Sequence, residues 1–217
     1  MKDNVLIFLP NYFHADAIRL ILNLQGLSVE IANSTDEVVA AASKKKYRAL
    51  ITDVVQSKKW HFTKFINAVH AVDPNLVFIF FTGVPEPRVV GLENNVIPRT
   101  AAYIVSTGTA ALDSLRDALF AAGRSRIPQH LREHLVAKHG LQNLSRSQMH
   151  VLRCLVAGHS NSEIAAIRGT TVRAVENLNR RTLSSLGINH ESSAAARALA
   201  VNLYLETVGN PILDLHL

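Results

Sequence analysis

The first half of the chain alternates short apolar runs with segments of helical periodicity, and this alternation limits its fold more than any other feature. Apolar runs at residues 5–9, 49–53, 77–81 and 102–105 have the length of strands, and amphipathic segments separate them. Strands that alternate with helices form a parallel sheet covered on both faces. We therefore predict an α/β domain over residues 1–122, with a doubly wound, parallel five-stranded sheet.

The second half of the chain contains no convincing strand and is predicted to be helical. Serines three residues ahead of Gln or Glu form capping boxes at two helix starts, Ser145 with Gln148 and Ser160 with Glu163. The second half is predicted to be all-α, with four short helices from residue 144 onward that include these two. We predict a linker with a helix at residues 123–142, a four-helix domain at 143–207 and a tail at 208–217.

Residues 161–180, NSEIAAIRGTTVRAVENLNR, have the spacing of two helices that cross at a steep angle. Ala165 supplies the small residue that the crossing requires, and Gly169 tolerates the positive φ of a tight turn. Apolar residues follow at helical spacing, at Ile164, Val175 and Leu178. This pattern predicts a helix-turn-helix whose second helix enters the major groove of DNA.

The predicted second helix carries polar side chains on its outward face. Arginine can bond guanine through two hydrogen bonds, and asparagine can do so with adenine. Side chains and backbone N–H groups at helix N-termini can hold phosphates. The predicted DNA contacts are Ser160, Asn161, Thr171, Arg173, Glu176, Asn177, Arg180 and Arg181.

The net charge of +6 is unevenly distributed along the chain. Residues 1–123 carry 12 Lys or Arg and 11 Asp or Glu, a net +1, whereas residues 124–217 carry 11 and 6, a net +5. A basic second half is compatible with a polyanionic partner and equally with a solvated basic surface. Charge alone leaves both open.

The longer stretch LSRSQMHVLRCLVAGHSNSEIAAIRGTTVRAVENLNRRTLSSLGINHESSAAARAL resembles the C-terminal domain of LuxR-type transcription regulators. The resemblance implies a four-helix module whose last helix helps it to form a homodimer, with Ala194, Ala198 and Val201 as dimer contacts. The chain departs from the family at Glu176, where a lysine is usual, and at Leu178, where a histidine is frequent. These departures concern the DNA sequence that is bound.

A LuxR-type domain behind a doubly wound domain is similar to response regulators of the NarL/FixJ type. That resemblance implies a receiver in which Asp53 matches the phosphate acceptor and Thr82 the hydroxyl that binds phosphoryl oxygens. Leu9 and Pro10 stand where the family has the acidic pair that holds Mg²⁺, and Ser106 or Thr107 stands where it has a lysine. We therefore expect a degenerate receiver, with Asp53 and Thr82 as its vestigial site.

These observations predict a sequence-specific, DNA-binding transcription regulator that acts as a homodimer on promoter DNA without aspartyl phosphorylation. Two alternatives remain: a co-regulator that pairs with another regulator, and a phosphorylation-switched regulator that uses Asp53. We expect no enzymatic activity, cofactor, metal or membrane association; a partner regulator or RNA polymerase is a further expected partner. The single cysteine, Cys154, and the absence of a secretion signal favour the cytoplasm.

Overall fold

The computed structural model describes residues 4–56, 61–106, 110–122, 127–131, 141–188 and 193–208. The chain forms two compact units. One, the sheet unit, comprises Met1–Gly83 and Asn95–His134, and the other, the helical unit, comprises Val84–Asn94 and Leu135–Leu217. Among the described residues, no helix is both long enough and apolar enough to cross a membrane.

The sheet unit contains five parallel strands in the order β2-β1-β3-β4-β5. The strands are β1 (Asn4–Phe8), β2 (Ser28–Ile31), β3 (Ala49–Thr52), β4 (Val77–Thr82) and β5 (Ala102–Val105). The helices are α1 (Tyr12–Leu24), α2 (Thr35–Lys44), α3 (Phe62–Val72) and α4 (Ala110–Ala122). The predicted doubly wound five-stranded sheet is confirmed.

Alternating side chains of the strands build two apolar layers, one on each face of the sheet. On one face, Ile7, Ile51 and Ile79 pack in one cluster with buried residues of α1 and α4. On the other face, the ring of Phe78 contacts that of Phe65 on α3, with the centroids 6.3 Å apart. Helices therefore cover both faces, and the ends of the strands are left free to carry polar groups.

The connection from β4 to β5 contains no α-helix, although the structure describes all of its residues. Two 3-10 helices, Pro87–Val90 and Asn94–Val96, stand in its place. The sequence assigns residues 84–94 to the first domain, whereas in the structure they pack with the helical unit. The prolines at 85 and 87 limit the helix that can form here, as expected from the sequence.

Among its described residues, the helical unit contains four α-helices, which are α5 (Arg146–Val156), α6 (Asn161–Arg168), α7 (Val172–Ser185) and α8 (Ser193–Val208). Their shared core includes Cys154, Ile164, Val175 and Leu178. Cys154 is a free, fully buried thiol in this core. The predicted four-helix module and its inward-facing residues are confirmed.

The predicted linker is described only in part. A 3-10 helix spans Gln129–Leu131, and Ile127 and Leu131 pack into the core of the sheet unit. Residues 123–126 and 132–140, where most of the predicted linker helix lies, are outside the described residues, as is the tail from residue 209.

Candidate DNA-binding surface and the Asp53 site

A three-residue turn joins α6 to α7. Gly169 ends α6 with φ of 60°, in the left-handed region that glycine adopts without strain. The side chain of Thr171 caps α7 by accepting a hydrogen bond from the backbone N–H of Ala174 at 3.2 Å. Ala165, which is 5% exposed, lies in the core near this turn. The turn therefore forms as the sequence predicts and fixes the direction in which α7 leaves.

Helix α7 separates its residues cleanly into two faces. Val175, Leu178, Asn179 and Thr182 are buried. The predicted base-contacting residues all lie on the exposed face, namely Arg173, Glu176, Asn177, Arg180 and Arg181. Three arginines against one glutamate give this face a net charge of +2, which favours a polyanion.

Two residues of this face are bonded to each other. The guanidinium of Arg180 donates to the side-chain oxygen of Asn177, one helical turn away. The bond orients both side chains and uses one of the two lone pairs of the Asn177 oxygen. The amide N–H groups of Asn177 and the remaining guanidinium N–H groups of Arg180 are therefore the donors that this pair can offer to a ligand.

Asn161 and Ser160, predicted as phosphate contacts, make structural bonds at the start of α6. The hydroxyl of Ser160 and the carboxylate of Glu163 form a capping box, and the bonds from Ser160 lower the pKa of Glu163. The side-chain oxygen of Asn161 accepts from Asn179 at 2.7 Å and from Arg197 at 3.0 Å. Asn161 thus links α6 to α7 and α8.

Asn179 and Arg197 support this region through hydrogen bonds that the sequence does not predict. Asn179 is 7% exposed on α7, and Arg197 also donates to the carbonyl of His159 at 2.9 Å. The sequence did contain one signal, because Asn179 occupies a position of α7 where the helical periodicity expects an apolar, buried residue. Their bonds join α7 and α8 to the start of α6.

Helix α8 is apolar on more than one side. Its buried face consists of Ala196, Ala200, Tyr204 and Val208, each four residues after the last. Of the three predicted dimer contacts, Ala194 and Ala198 are exposed, and Val201 is half-buried against the core of the unit. The outward face of α8 thus carries small apolar residues.

Asp53 follows β3 at the carboxyl edge of the sheet, where the resemblance places a phosphate acceptor. Its Oδ1 accepts hydrogen bonds from the hydroxyl of Thr82 at 2.5 Å and from the backbone N–H of Val55 at 3.1 Å. The backbone N–H of Ser106 donates to the carbonyl of Thr82 at 2.7 Å. The structure thus brings Asp53 and Thr82 together as predicted, with Ser106 beside them; Thr107 lies outside the described residues.

The carboxyl of Asp53 is a weak acid in this setting. Burial raises its pKa from 3.8 to about 6, although the hydrogen bonds from Thr82 and the backbone act in the opposite direction. Loss of solvation therefore outweighs the bonds that favour the charged form. Near neutral pH the group is a mostly ionised carboxylate that titrates just below that pH.

The surroundings of Asp53 do not fit a Mg²⁺ site. Leu9 is buried in the apolar cluster of the sheet unit and Pro10 is exposed, so neither position supplies an oxygen side chain. The amide of Gln56 donates to the carbonyl of Phe8 at 2.8 Å and so occupies an oxygen at this edge. Magnesium requires near-octahedral oxygen ligation, which one carboxylate engaged by Thr82 does not provide. In the described part of the chain, His, Cys, Asp and Glu nowhere gather in a group of three that could hold a metal.

Comparison with known proteins gives a family for the helical unit and a fold for the chain. Residues 142–198 match the LuxR family of bacterial regulatory proteins. No curated protein sequence matches the chain.

Three solved structures of the response regulator RcsB are similar to the chain. A complex of RcsB with DNA has 21% identity and a TM-score of 0.57, covering 96% of this chain and 100% of its own. A structure of two RcsB dimers bound to two parallel DNAs has 19% identity and a TM-score of 0.57, and it covers 96% of this chain and 100% of its own. RcsB from Salmonella enterica serovar Typhimurium, bound to promoter DNA with a phosphomimetic, has 21% identity and a TM-score of 0.53. This match covers 92% of this chain and 98% of its own. The chain therefore shares the fold of RcsB, and its residues 142–198 match the LuxR family of bacterial regulatory proteins.

Proposed function

We propose that this protein is a dimeric, sequence-specific DNA-binding transcription regulator that operates without phosphorylation of Asp53. The observation that carries the proposal is the exposed face of α7, where Arg173, Asn177 and Arg180 project from a helix held by the Gly169 turn. Promoter DNA is the proposed partner, and RNA polymerase or a second regulator bound nearby would receive the output.

Roles differ among the residues of the proposed DNA surface. Asn177 and Arg180 are the proposed base readers, because both occupy the exposed stripe of α7 and offer several donors. Arg173 and Arg181 contribute charge toward phosphates. Glu176 can accept from the amino group of cytosine and discourages binding where no such group is present. Asn161, whose oxygen is already bonded twice, is reassigned from phosphate contact to support.

The DNA assignment is tested with duplexes selected from a random library by the purified full chain. Fluorescence anisotropy at physiological salt should show specific binding that falls by roughly 10- to 100-fold in the double variant Asn177→Ala, Arg180→Ala. Arg116→Ala is the matched control, because it removes an exposed arginine from the sheet unit. Equal affinity of the double variant and the wild type would show that α7 does not read DNA.

The proposed dimer uses the outward face of α8. Ala194 and Ala198 are exposed there, and Leu199 beside them is 45% exposed, so small side chains would let two helices approach closely. Sedimentation equilibrium should give a dimer for the wild type and a monomer for Ala198→Glu. Ala166→Glu, an exposed position on α6, is the control and should remain dimeric. A monomeric wild type at DNA-binding concentrations would reject this arrangement.

Independence from phosphorylation is supported by the surroundings of Asp53. Without the acidic side chains that hold Mg²⁺, the negative charge of a phosphoryl donor meets an uncompensated carboxylate. Acetyl phosphate should therefore leave no acid-labile phosphate on the protein with or without Mg²⁺. Incorporation that disappears in Asp53→Asn would instead establish a phosphorylation switch.

A second candidate function is favoured by Glu176. A carboxylate on the exposed face of α7 repels the phosphate backbone, as expected for a co-regulator that pairs with another regulator and adds little DNA affinity itself. Glu176→Lys distinguishes the two functions. Under the co-regulator reading the wild type selects no duplex and only the variant does; under the main proposal both bind, with different preferred sequences.

A further inference from the structure

Residues 84–94, which we call the strap, pack against the helices of the helical unit. Val84 and Val89 of the strap are buried. The guanidinium of Arg88 donates to the carbonyl of Leu144 at 2.7 Å and is paired with Glu86 at 2.9 Å. The strap is therefore anchored both by apolar burial and by charge-assisted bonds.

A second set of contacts fixes the other end of the strap. The hydroxyl of Tyr204, on the buried face of α8, donates to the carbonyl of Val89 at 2.7 Å. Glu93 pairs with Arg146 at the start of α5, with 2.8 Å between the charged groups. The buried bond from Tyr204 holds the strap against the helices, whereas the exposed Glu93–Arg146 pair adds little to this. A cavity lies between the strap and the helices.

This cavity has a volume of about 580 Å³, and its wall is strongly basic. Its polar lining includes Arg88, Arg146, Arg153, Arg168, His150 and Glu93. With Glu86, which pairs with Arg88, the four arginines face two carboxylates, a net charge of +2 when His150 is neutral. Volumes of 300–1,000 Å³ are typical of sites for small ligands.

The arginines of the cavity are held in place before any ligand arrives. Arg153 is 8% exposed and lies so close to the backbone of Gly91 that a side chain there would come within 2.7 Å of the guanidinium. Gly91, with φ of 84°, thus permits the close approach of the strap. Arg168 donates to Nδ1 of His150 at 3.0 Å. Because arginine only donates, the neutral ring carries its proton on Nε2.

The positive charge around the cavity affects the pKa of its histidine, His150. Burial lowers the pKa of His150, and the neighbouring Arg153, Arg168 and Arg146 lower it further. Like charges gathered in a cavity destabilise the fold unless an anion offsets them. The arrangement is therefore one that a bound anion would stabilise.

We propose that this cavity binds a small anion that carries phosphate groups. Guanidinium groups match phosphate oxygens through paired, charge-assisted hydrogen bonds, and a net charge of +2 suits a ligand with about two negative charges. A phosphate of the DNA backbone is a poorer fit, because no residue of α7 lines the cavity and Arg153 is almost fully buried.

The position of the cavity gives the ligand an effect on DNA binding. Arg168 is the last residue of α6 and directly precedes Gly169, at which the chain turns toward α7. An anion that draws Arg168 toward the strap would fix the end of α6 and reduce the freedom of the turn. Occupation of the cavity should therefore change the affinity of the protein for its DNA.

Isothermal titration calorimetry on the purified full chain, with inorganic pyrophosphate as the probe at constant ionic strength, tests the proposal. We expect saturable binding of one pyrophosphate per chain, weakened at least 10-fold in Arg168→Gln. Glu93→Gln, which removes the carboxylate of the lining, should strengthen binding several-fold. Arg116→Gln removes an exposed arginine of the sheet unit, outside the cavity, and should leave binding unchanged.

The outcomes separate the possible sources of phosphate. Absence of saturable binding to the wild type overturns the proposal. Loss of DNA affinity in Arg168→Gln, without any pyrophosphate binding to the wild type, would assign the cavity to a DNA phosphate and equally overturn it. If Arg168→Gln does not fold by circular dichroism, the stronger binding expected for Glu93→Gln decides, and weaker or unchanged binding there contradicts the site.

Discussion

Arg180 donates a hydrogen bond from its guanidinium to the side-chain oxygen of Asn177, with 2.5 Å between the two atoms, on the exposed face of α7. The two residues therefore act as a pair rather than as separate contacts. A ligand that accepts from Asn177 finds an amide already oriented, and one that donates to its oxygen shares that atom with Arg180.

The first prediction concerns this pair. Asn177→Ala and Arg180→Ala should each weaken specific DNA binding by about 1–3 kcal/mol, and the double variant should lose less than the sum, because each residue orients the other. Anisotropy titrations with one selected duplex would measure the cycle. Strict additivity would show that the bond does not persist on DNA.

The second prediction concerns Asn161. Asn161→Ala should lower the free energy of unfolding by about 1–3 kcal/mol, because it leaves the buried amide of Asn179 without its acceptor. Urea denaturation measures the loss. Ser162→Ala, at the exposed neighbouring position, is the control; an equal effect of the two variants would contradict the structural role of Asn161.

The third prediction follows from the raised pKa of Asp53. The folded carboxyl holds its proton to about pH 6, whereas the unfolded chain releases it near its ordinary value of 3.8. Stabilisation by the protonated form is therefore present below about pH 4 and is lost as the pH rises through 6. Asp53→Asn should be more stable than the wild type by about 1–3 kcal/mol at pH 8 and about equal to it at pH 4.

Denaturation of both proteins across this pH range provides the measurement. The difference between them is the relevant quantity, because other groups titrate in the same way in both chains. A difference that does not change with pH would show that folding leaves the pKa of this carboxyl at its ordinary value, and would contradict the effect of burial.

The fourth prediction concerns the anchor of the strap. Tyr204→Phe should lower stability by about 1–2 kcal/mol, because the carbonyl of Val89 loses its buried donor while the ring still fills its place. Tyr12→Phe, at a tyrosine that is 65% exposed, should change stability by less than about 0.5 kcal/mol. Hydrogen exchange should also quicken at Gly91, whose N–H bonds within the strap. Unchanged exchange there would show that Tyr204 does not hold the strap.

Local patterns carried most of what the sequence could predict. The turn between α6 and α7 requires the positive φ of Gly169, and the crossing of the two helices requires a small residue such as Ala165. The helix-turn-helix is therefore predictable from residues that are near one another in the chain. The strands follow equally from their apolar runs. Asp53 and Thr82 meet because parallel strands end at the same edge of a sheet.

The parts that could not be predicted depend on partners far along the chain. Val84 and Val89 flank two prolines in a sequence typical of a loop, and nothing near them indicates that both are buried or that Tyr204 of α8 bonds to Val89. Helix α8 has apolar residues on both sides, so its periodicity does not predict that the face with Tyr204 is the buried one. The bonds of Asn161 likewise join residues 18 and 36 positions away.

The strap also limits how this chain can be divided. The polypeptide leaves the sheet unit after β4, contributes residues 84–94 to the helical unit, and returns to complete β5 and α4. A cut at residue 123 therefore yields a first fragment that carries an orphaned piece of the other unit's core. It also yields a second fragment that lacks Val89 beneath Tyr204. The two units cannot be separated by one cut in the chain. A fusion of the helical unit to another protein would have to include the strap together with its helices.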